Sequence, residues 1–210
     1  DPVVYLGTGF VLGNGVKVIT NAHVIPEKLD VDHNHSIAVF VGRGANARAI
    51  TAKVLQIDKA HDLAVLEIQG APLPALELGD SDKVREGQEI AFTGFPIGMV
   101  LGLYPVTHKG IVSAITPMVR PVENARTLNA VQLKHLRNNR FDAFQLDAIA
   151  YPGNSGSPVF EPETGRVVGV LNSVFVKEGK ESVLEKPSGI SYAIPIIHLK
   201  QLLQVSIIDE

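Results

Sequence analysis

Residues 151–160, YPGNSGSPVF, set a serine in a turn rich in glycine and proline. Backbone of that composition can bring neighbouring amides to one point, which is what stabilising an oxyanion demands. Alone, the stretch reads equally well as a surface turn, because short motifs arise by chance. A serine hydroxyl is a weak nucleophile at neutral pH and needs a base. Among seven histidines, His23 in VITNAHV closes an apolar, strand-like run, where a rigid scaffold can present it at an edge. A partly buried structural histidine is the plain alternative. A carboxylate that fixes the imidazole tautomer would complete the set. Asp62 in KAHDLAVLEI is the candidate, expected to begin a buried strand, with a turn aspartate as its alternative.

Other groups weigh less. Asp30, Asp32, His33 and His35 in LDVDHNHS carry metal-ligating atoms, but such polar loop clusters are ordinarily solvated, so no metal is expected. His61 should face away from its neighbour Asp62, as adjacent strand residues do. His108 and Lys109 read as a surface pair, and Lys134, His135, Arg137 and Arg140 as one solvated helix face.

The elements that must hold these groups are short runs rich in Val, Ile and Phe, bounded by Gly, Pro, Asn or Asp: 9–12, 16–20, 37–41, 49–57, 63–68, 89–93, 110–115, 144–146, 167–171 and 191–194. Many short strands with turn signals between them predict an all-β sandwich or barrel. Asn14-Gly15 predicts a two-residue hairpin turn. Helical periodicity is confined to 123–139 and to 195–203, where Pro195 suits a first turn. The turn-like, charged stretch 72–86 reads as a connection between two lobes.

Composition bounds the rest. The chain has 210 residues, 45% of them hydrophobic, so it can bury a core without disulfides or a structural metal. The absence of cysteine excludes a thiol nucleophile and Cys-based zinc. A formal charge of -3 gives no whole-chain case for nucleic acid. Residues 90–107 carry no charged side chain, yet Gly94, Pro96, Gly98, Gly102 and Pro105 make strand, turn and strand the expectation rather than a membrane span. Asp1 onward lacks the layout of a signal peptide.

TNAHV with His23, HDLAVL with Asp62 and GNSGSP with Ser155 resemble, in that order, the trypsin-like serine proteases, and more closely their HtrA/Deg branch. Residues 73–98, 109–115 (KGIVSAI), 165–173 (GRVVGVLNS) and 189–195 (GISYAIP) are similar to the HtrA-type protease domain in the same order. The resemblance implies two six-stranded antiparallel β-barrels with a short C-terminal helix: barrels at 1–78 and 79–195, helix and tail at 196–210, and the site between the barrels. It implies a serine endopeptidase in which Ser155 attacks, His23 carries the proton and Asp62 orients His23. The oxyanion hole would be Gly153, Asn154 and Ser155. No cofactor is implied. The partner would be a protein or peptide substrate, without nucleic acid or membrane insertion, in an extracytoplasmic setting.

Departures from the pattern matter. Asn154 stands where zymogen-type trypsins place an aspartate that pairs with a new amino terminus; an amide cannot form that ion pair. Ser157 replaces a glycine and would strain the turn if its φ were positive. Neither a PDZ domain nor the extension that trimerises many relatives is expected here, which leaves homo-oligomerisation open. Ile149, six residues before Ser155, with Ala148 and Ala150 beside it, predicts an uncharged pocket floor, Asp147 being a near miss. Asn172, Ser173, Val174 and Phe175 would pair with substrate and narrow the pocket. A latent or proteolytically silent peptide-binding module using the same cleft is the alternative function.

Overall fold

The computed structural model describes residues 7–26, 36–96, 102–118, 141–173 and 190–205. Val174, Phe175, Asp30, Asp32, His33, His35 and the expected helix at 123–139 lie outside them. The first five strands, β1 (Phe10–Leu12), β2 (Lys17–Thr20), β3 (Ile37–Val41), β4 (Arg48–Asp58) and β5 (Leu63–Ile68), form an antiparallel sheet in the order β1-β2-β5-β4-β3. The next six, β6 (Glu89–Gly94), β7 (Val106–Met118), β8 (Phe141–Asp147), β9 (Pro158–Phe160), β10 (Val167–Asn172) and β11 (Ile190–Pro195), close into a barrel ordered β10-β11-β8-β7-β6-β9. The helix α1 (Ile196–Val205) follows.

Every predicted strand is present, and so is the closing helix, which begins one residue after Pro195. Three details differ. Among the described residues the first unit is a five-stranded sheet rather than a six-stranded barrel. The edge of β1 is covered by the connection after β5, where Leu76 N–H donates to the Val11 carbonyl at 2.9 Å. Covering an edge this way removes its free hydrogen-bonding groups, as a sixth strand would. The β1–β2 hairpin also turns over four residues, 13–16, with Leu12 paired to Lys17. Positive φ falls on Gly13 and Gly15 and not on Asn14, and Gly15 carbonyl accepts from Leu73 N–H at 2.8 Å, so docking the connection widens the turn. The short β9 escaped prediction because it lies inside the glycine-rich serine segment.

The alternating pattern of the first sheet supplies two cores. Val18, Ile50, Leu66 and Ile68 pack on one face. Ile19, Leu63 and Val65 on the other meet Val167, Val170 and Ile194 from the barrel and Ile196 and Leu199 from α1. This shared core joins sheet to barrel, and it aligns the two sides of the site. Truncating a fully buried member such as Ile194 to alanine is expected to cost about 2–5 kcal/mol. Within the barrel, Phe92, Val112, Phe144, Leu146, Val159 and Leu171 form a separate core. Bulges at Val54/Gln56 and Val112/Ala114 bend the long strands, as curvature requires.

Candidate active site

Asp62 is the last residue of the turn from β4 to β5, and among the described residues it is the one non-glycine with positive φ, +54°. Aspartate tolerates this left-handed region better than most residues. The turn's carbonyl and carboxylate are both engaged. Asp62 carbonyl accepts from Ala22 N–H at 3.1 Å and from Asn21 Nδ2 at 3.0 Å, which ties the turn to the short 3-10 segment Ala22–Val24 that carries His23. Its carboxylate accepts His23 N–H on Oδ1 at 2.8 Å, and Oδ2 stands 2.6 Å from His23 Nδ1. Asn172 Nδ2 donates to the same Oδ2 at 2.5 Å. A carboxylate only accepts, so Nδ1 of the neutral ring carries the proton and Nε2 has a free lone pair. The Asp62 side chain is 7% exposed and that of His23 28%, so the acid is sealed while part of the ring reaches solvent.

Ser155 follows a turn closed by Asn154 N–H to Tyr151 carbonyl at 3.0 Å. Pro152 and Gly153 take its central positions, and φ of +97° at Gly153 makes it type II, a conformation that calls for glycine there. Among the described residues neither the Gly153 nor the Ser155 amide has a protein acceptor. Positive φ next falls on Gly156 (+89°), not on Ser157, so the serine that replaces the family's glycine is unstrained. A Cβ at position 156 would stand 2.4 Å from Thr20 Oγ1, so the nucleophile turn packs directly against the end of β2. Ser155 Oγ is hydrogen-bonded to Ser173 Oγ and accepts Ser173 N–H at 3.4 Å. No hydrogen bond joins it to His23 among the described residues.

Comparison with known proteins then decides the family. Residues 7–170 match the model of the trypsin-like peptidase domain. The chain belongs to the trypsin-like peptidase family. It is 32% identical over 192 residues to a "Probable periplasmic serine endoprotease DegP-like" of Pseudomonas putida, covering 91% of this chain and 32% of that protein. It is also 32% identical over 198 residues to "Serine protease HTRA2, mitochondrial" of Drosophila pseudoobscura pseudoobscura, covering 94% and 38%. A solved structure described as "HtrA-type protease AlgW with decapeptide" superposes with a TM-score of 0.66 at 29% identity, covering 98% of this chain and 52% of that one. The peptidase chain thus spans about a third of the length of its curated relatives.

In this trypsin-like peptidase domain the remaining predicted residues fall in several places. Ile149 is 38% exposed, and Ala150 packs against the barrel core. Asn172, expected with the substrate-pairing strand, is fully buried with its side chain committed to Asp62. Ser173 faces the nucleophile. Neither link was legible in sequence, because Asn172 and Asp62 lie 110 residues apart and no local pattern marks the pair. Asp62 stands in a turn, not in a strand, so His61 is directed elsewhere by the turn rather than by alternation. It bonds Asp58 and stacks on His198 with ring centroids 4.0 Å apart. His108 is no surface residue: it stacks on Phe92 at 4.9 Å, and burial lowers its pKa below the usual 6.5. Lys109 is the exposed one of that pair, 2.8 Å from Glu89.

Proposed function

We propose that this domain is a serine endopeptidase that cleaves peptide bonds in extended or unfolded protein segments. The observation that carries the reading is the sealed Asp62 carboxylate fixing the His23 tautomer, together with a serine turn whose Gly153 and Ser155 amides have no acceptor among the described residues. His23 Nε2 takes the Ser155 hydroxyl proton as Oγ bonds to the scissile carbonyl carbon. The Gly153 and Ser155 amides receive the resulting oxyanion. The ring then gives that proton to the leaving amine as the C–N bond breaks, leaving an acyl-serine. Water repeats the cycle, its proton passing to His23 and then back to Ser155 as the acid leaves. Ile149 and Ala150 bound an uncharged specificity pocket, and the strand ending at Asn172 and Ser173 pairs with substrate backbone. Residues 1–78 and 79–195 act as the two halves of the unit.

The Ser155–Ser173 hydrogen bond favours one refinement: a resting state in which Ser155 must rotate from Ser173 to His23 before it reacts. Catalytic hydrogen bonds often tighten only in the substrate complex. Protein or peptide substrates agree with the endoprotease relatives and with the HtrA-type structure that carries a decapeptide, and an extracytoplasmic location agrees with the periplasmic relatives. Labelling by a fluorophosphonate tests the reading. It is expected on Ser155 and lost in Ser155→Ala and His23→Ala; a parent protein that stays unlabelled, with and without added peptide, overturns it. Labelling that appears only with peptide selects the resting-state form.

A further inference from the structure

The oxyanion turn needs an anchor that its own buried residue does not supply. Asn154 is fully buried, yet among the described residues neither its Oδ1 nor its Nδ2 has a hydrogen-bond partner. Its side chain packs closely against Gly94, where a Cβ would stand 2.5 Å from Asn154 Oδ1. The turn's internal bond, Asn154 N–H to Tyr151 carbonyl, closes the loop on itself and says nothing about where the loop sits.

Thr8, just before β1 in the first sheet, reaches across to it. Its hydroxyl donates to Gly153 carbonyl at 2.7 Å and accepts Phe95 N–H at 3.0 Å. Its amide donates to Ser155 carbonyl at 2.8 Å. The peptide planes on both sides of the Asn154–Ser155 unit are thereby pinned to one residue, and the Ser155 amide lies between the pins. Thr8 carbonyl in turn accepts Thr20 Oγ1 at 2.7 Å, at the end of the strand that leads to His23. Thr8 is 5% exposed, so water competes little for these groups.

We propose that Thr8 is a positioning residue that registers the oxyanion turn of the second barrel against the histidine strand of the first sheet, its hydroxyl doing for the turn what the Asn154 side chain does not. This rests on the endopeptidase reading for its kinetic consequence, but not for its structural one. The Thr8 amide holds the nucleophile's carbonyl whatever the side chain, whereas the hydroxyl holds Gly153. Deleting the hydroxyl should therefore impair the hole and spare the approach of a ligand.

The test uses the whole chain as parent, Thr8→Ser and Thr8→Val, with fluorophosphonate labelling followed to saturation and a crystal structure of Thr8→Val. A half-buried Gly153 carbonyl that loses its Thr8 donor predicts a maximal labelling rate about ten- to a hundredfold lower in Thr8→Val, with the half-saturating concentration unchanged. Thr8→Ser should keep its rate within about threefold. The crystal structure should show the Gly153 turn displaced from Thr8 or its φ no longer positive. A Thr8→Val rate within about threefold of parent, or a loss confined to half-saturation, overturns the proposal. Should Thr8→Val fail to fold, a folded Thr8→Ser losing tenfold or more overturns it, because the hydroxyl is then not what matters. An unlabelled parent sinks the endopeptidase reading instead, and the turn seen in Thr8→Val still decides the role of Thr8.

Discussion

With aspartates at the two ends of one turn, Asp58 closing β4 and Asp62 preceding β5, the chain builds two aspartate–histidine pairs of nearly the same geometry. In each, histidine Nδ1 lies 2.6 Å from an aspartate Oδ2, and the same aspartate's Oδ1 accepts the histidine's own amide, at 2.8 Å from His23 and 3.1 Å from His61. The histidine side chains are equally exposed, 28% and 27%. The pairs part at the carboxylate and at the far edge of the ring. Asp62 is 7% exposed and takes a third donor from Asn172 across the two halves, whereas Asp58 is 20% exposed and spends its spare capacity on Ala60 N–H within its own turn. The His23 ring has no aromatic partner among the described residues, whereas His61 stacks on His198 and meets Phe141 edge-on. A fixed tautomer is therefore not chemistry by itself. In the proposed mechanism it becomes chemistry only where the free nitrogen can reach a nucleophile and the acid is locked from the other side.

Aspartate-to-asparagine exchange at each pair breaks this comparison most sharply. In Asp62→Asn the side-chain oxygen must stay on Oδ1 to accept His23 N–H, so the amide nitrogen takes the Oδ2 place and donates to Nδ1. The ring proton then moves to Nε2, which can no longer accept from Ser155. Turnover should fall about 10⁴-fold while the fold persists, since asparagine also accepts the left-handed φ of this position. Asp58→Asn makes the same swap on the other pair and should leave labelling of Ser155 within about threefold, with stability lower by about 1 kcal/mol. Equal losses in the two variants, read by fluorophosphonate labelling and melting, would contradict the division of roles.

Removing the third donor sharpens the comparison at smaller cost. Asn172→Ala leaves Asp62 Oδ2 buried with His23 alone. A lost hydrogen bond to a charged group contributes about 1.5–3 kcal/mol, so turnover should drop about ten- to a hundredfold. If Asn172→Ala matches Asp62→Asn in severity, the amide does more than orient; if it matches parent, the lock is idle.

Particular residues show what the sequence could and could not reveal. Short apolar runs bounded by turn residues made every strand of the described residues but β9 legible, while the two faces that Val18 and Ile19, or Val65 and Leu66, turn to different cores emerged only in the structure. The motifs around His23, Asp62 and Ser155 were legible, each with a plain structural alternative, and it was their ordered resemblance to the trypsin-like proteases that joined them as candidates. The bonds that Asn172 makes to Asp62, Ser173 to Ser155 and Thr8 to Gly153 were not, although Asn172 and Ser173 were expected beside the substrate, because each bond joins residues far apart in the chain and leaves no periodic trace. The positive φ of Asp62 was hidden for a related reason: the turn is imposed by Asn21 and Ala22 gripping its carbonyl from another strand end.

The gentlest probe of the contrast lies beyond the second pair, at His198. Burial holds the His198 pKa below its usual 6.5, and the neighbouring His61 ring pushes it the same way, against the opposite pull of Gln201, Asp58 and Asp142. Its Nδ1 is buried without a hydrogen-bond partner among the described residues. A base with a depressed folded pKa binds fewer protons folded than unfolded. Above pH 6.5 both states leave it neutral and it adds no pH dependence; below that the unfolded chain takes up the proton first, so stability falls until the folded pKa is passed. Melting temperature should therefore decline from about pH 7 to about pH 5, and His198→Leu should flatten that decline. Some slope will remain, since burial lowers the His108 pKa in the same direction. Asp58, though burial raises its pKa, is held below 3.8 by its bonds to His61, so its own contribution is lost only at still lower pH and stays out of this window. Labelling of Ser155 at pH 7 should be unchanged, because His198 stacks on the pair that faces away from the cleft. Parallel melting curves for His198→Leu and parent across that range would show that the stacked histidines are electrostatically silent, and the second pair would then differ from the first by packing alone.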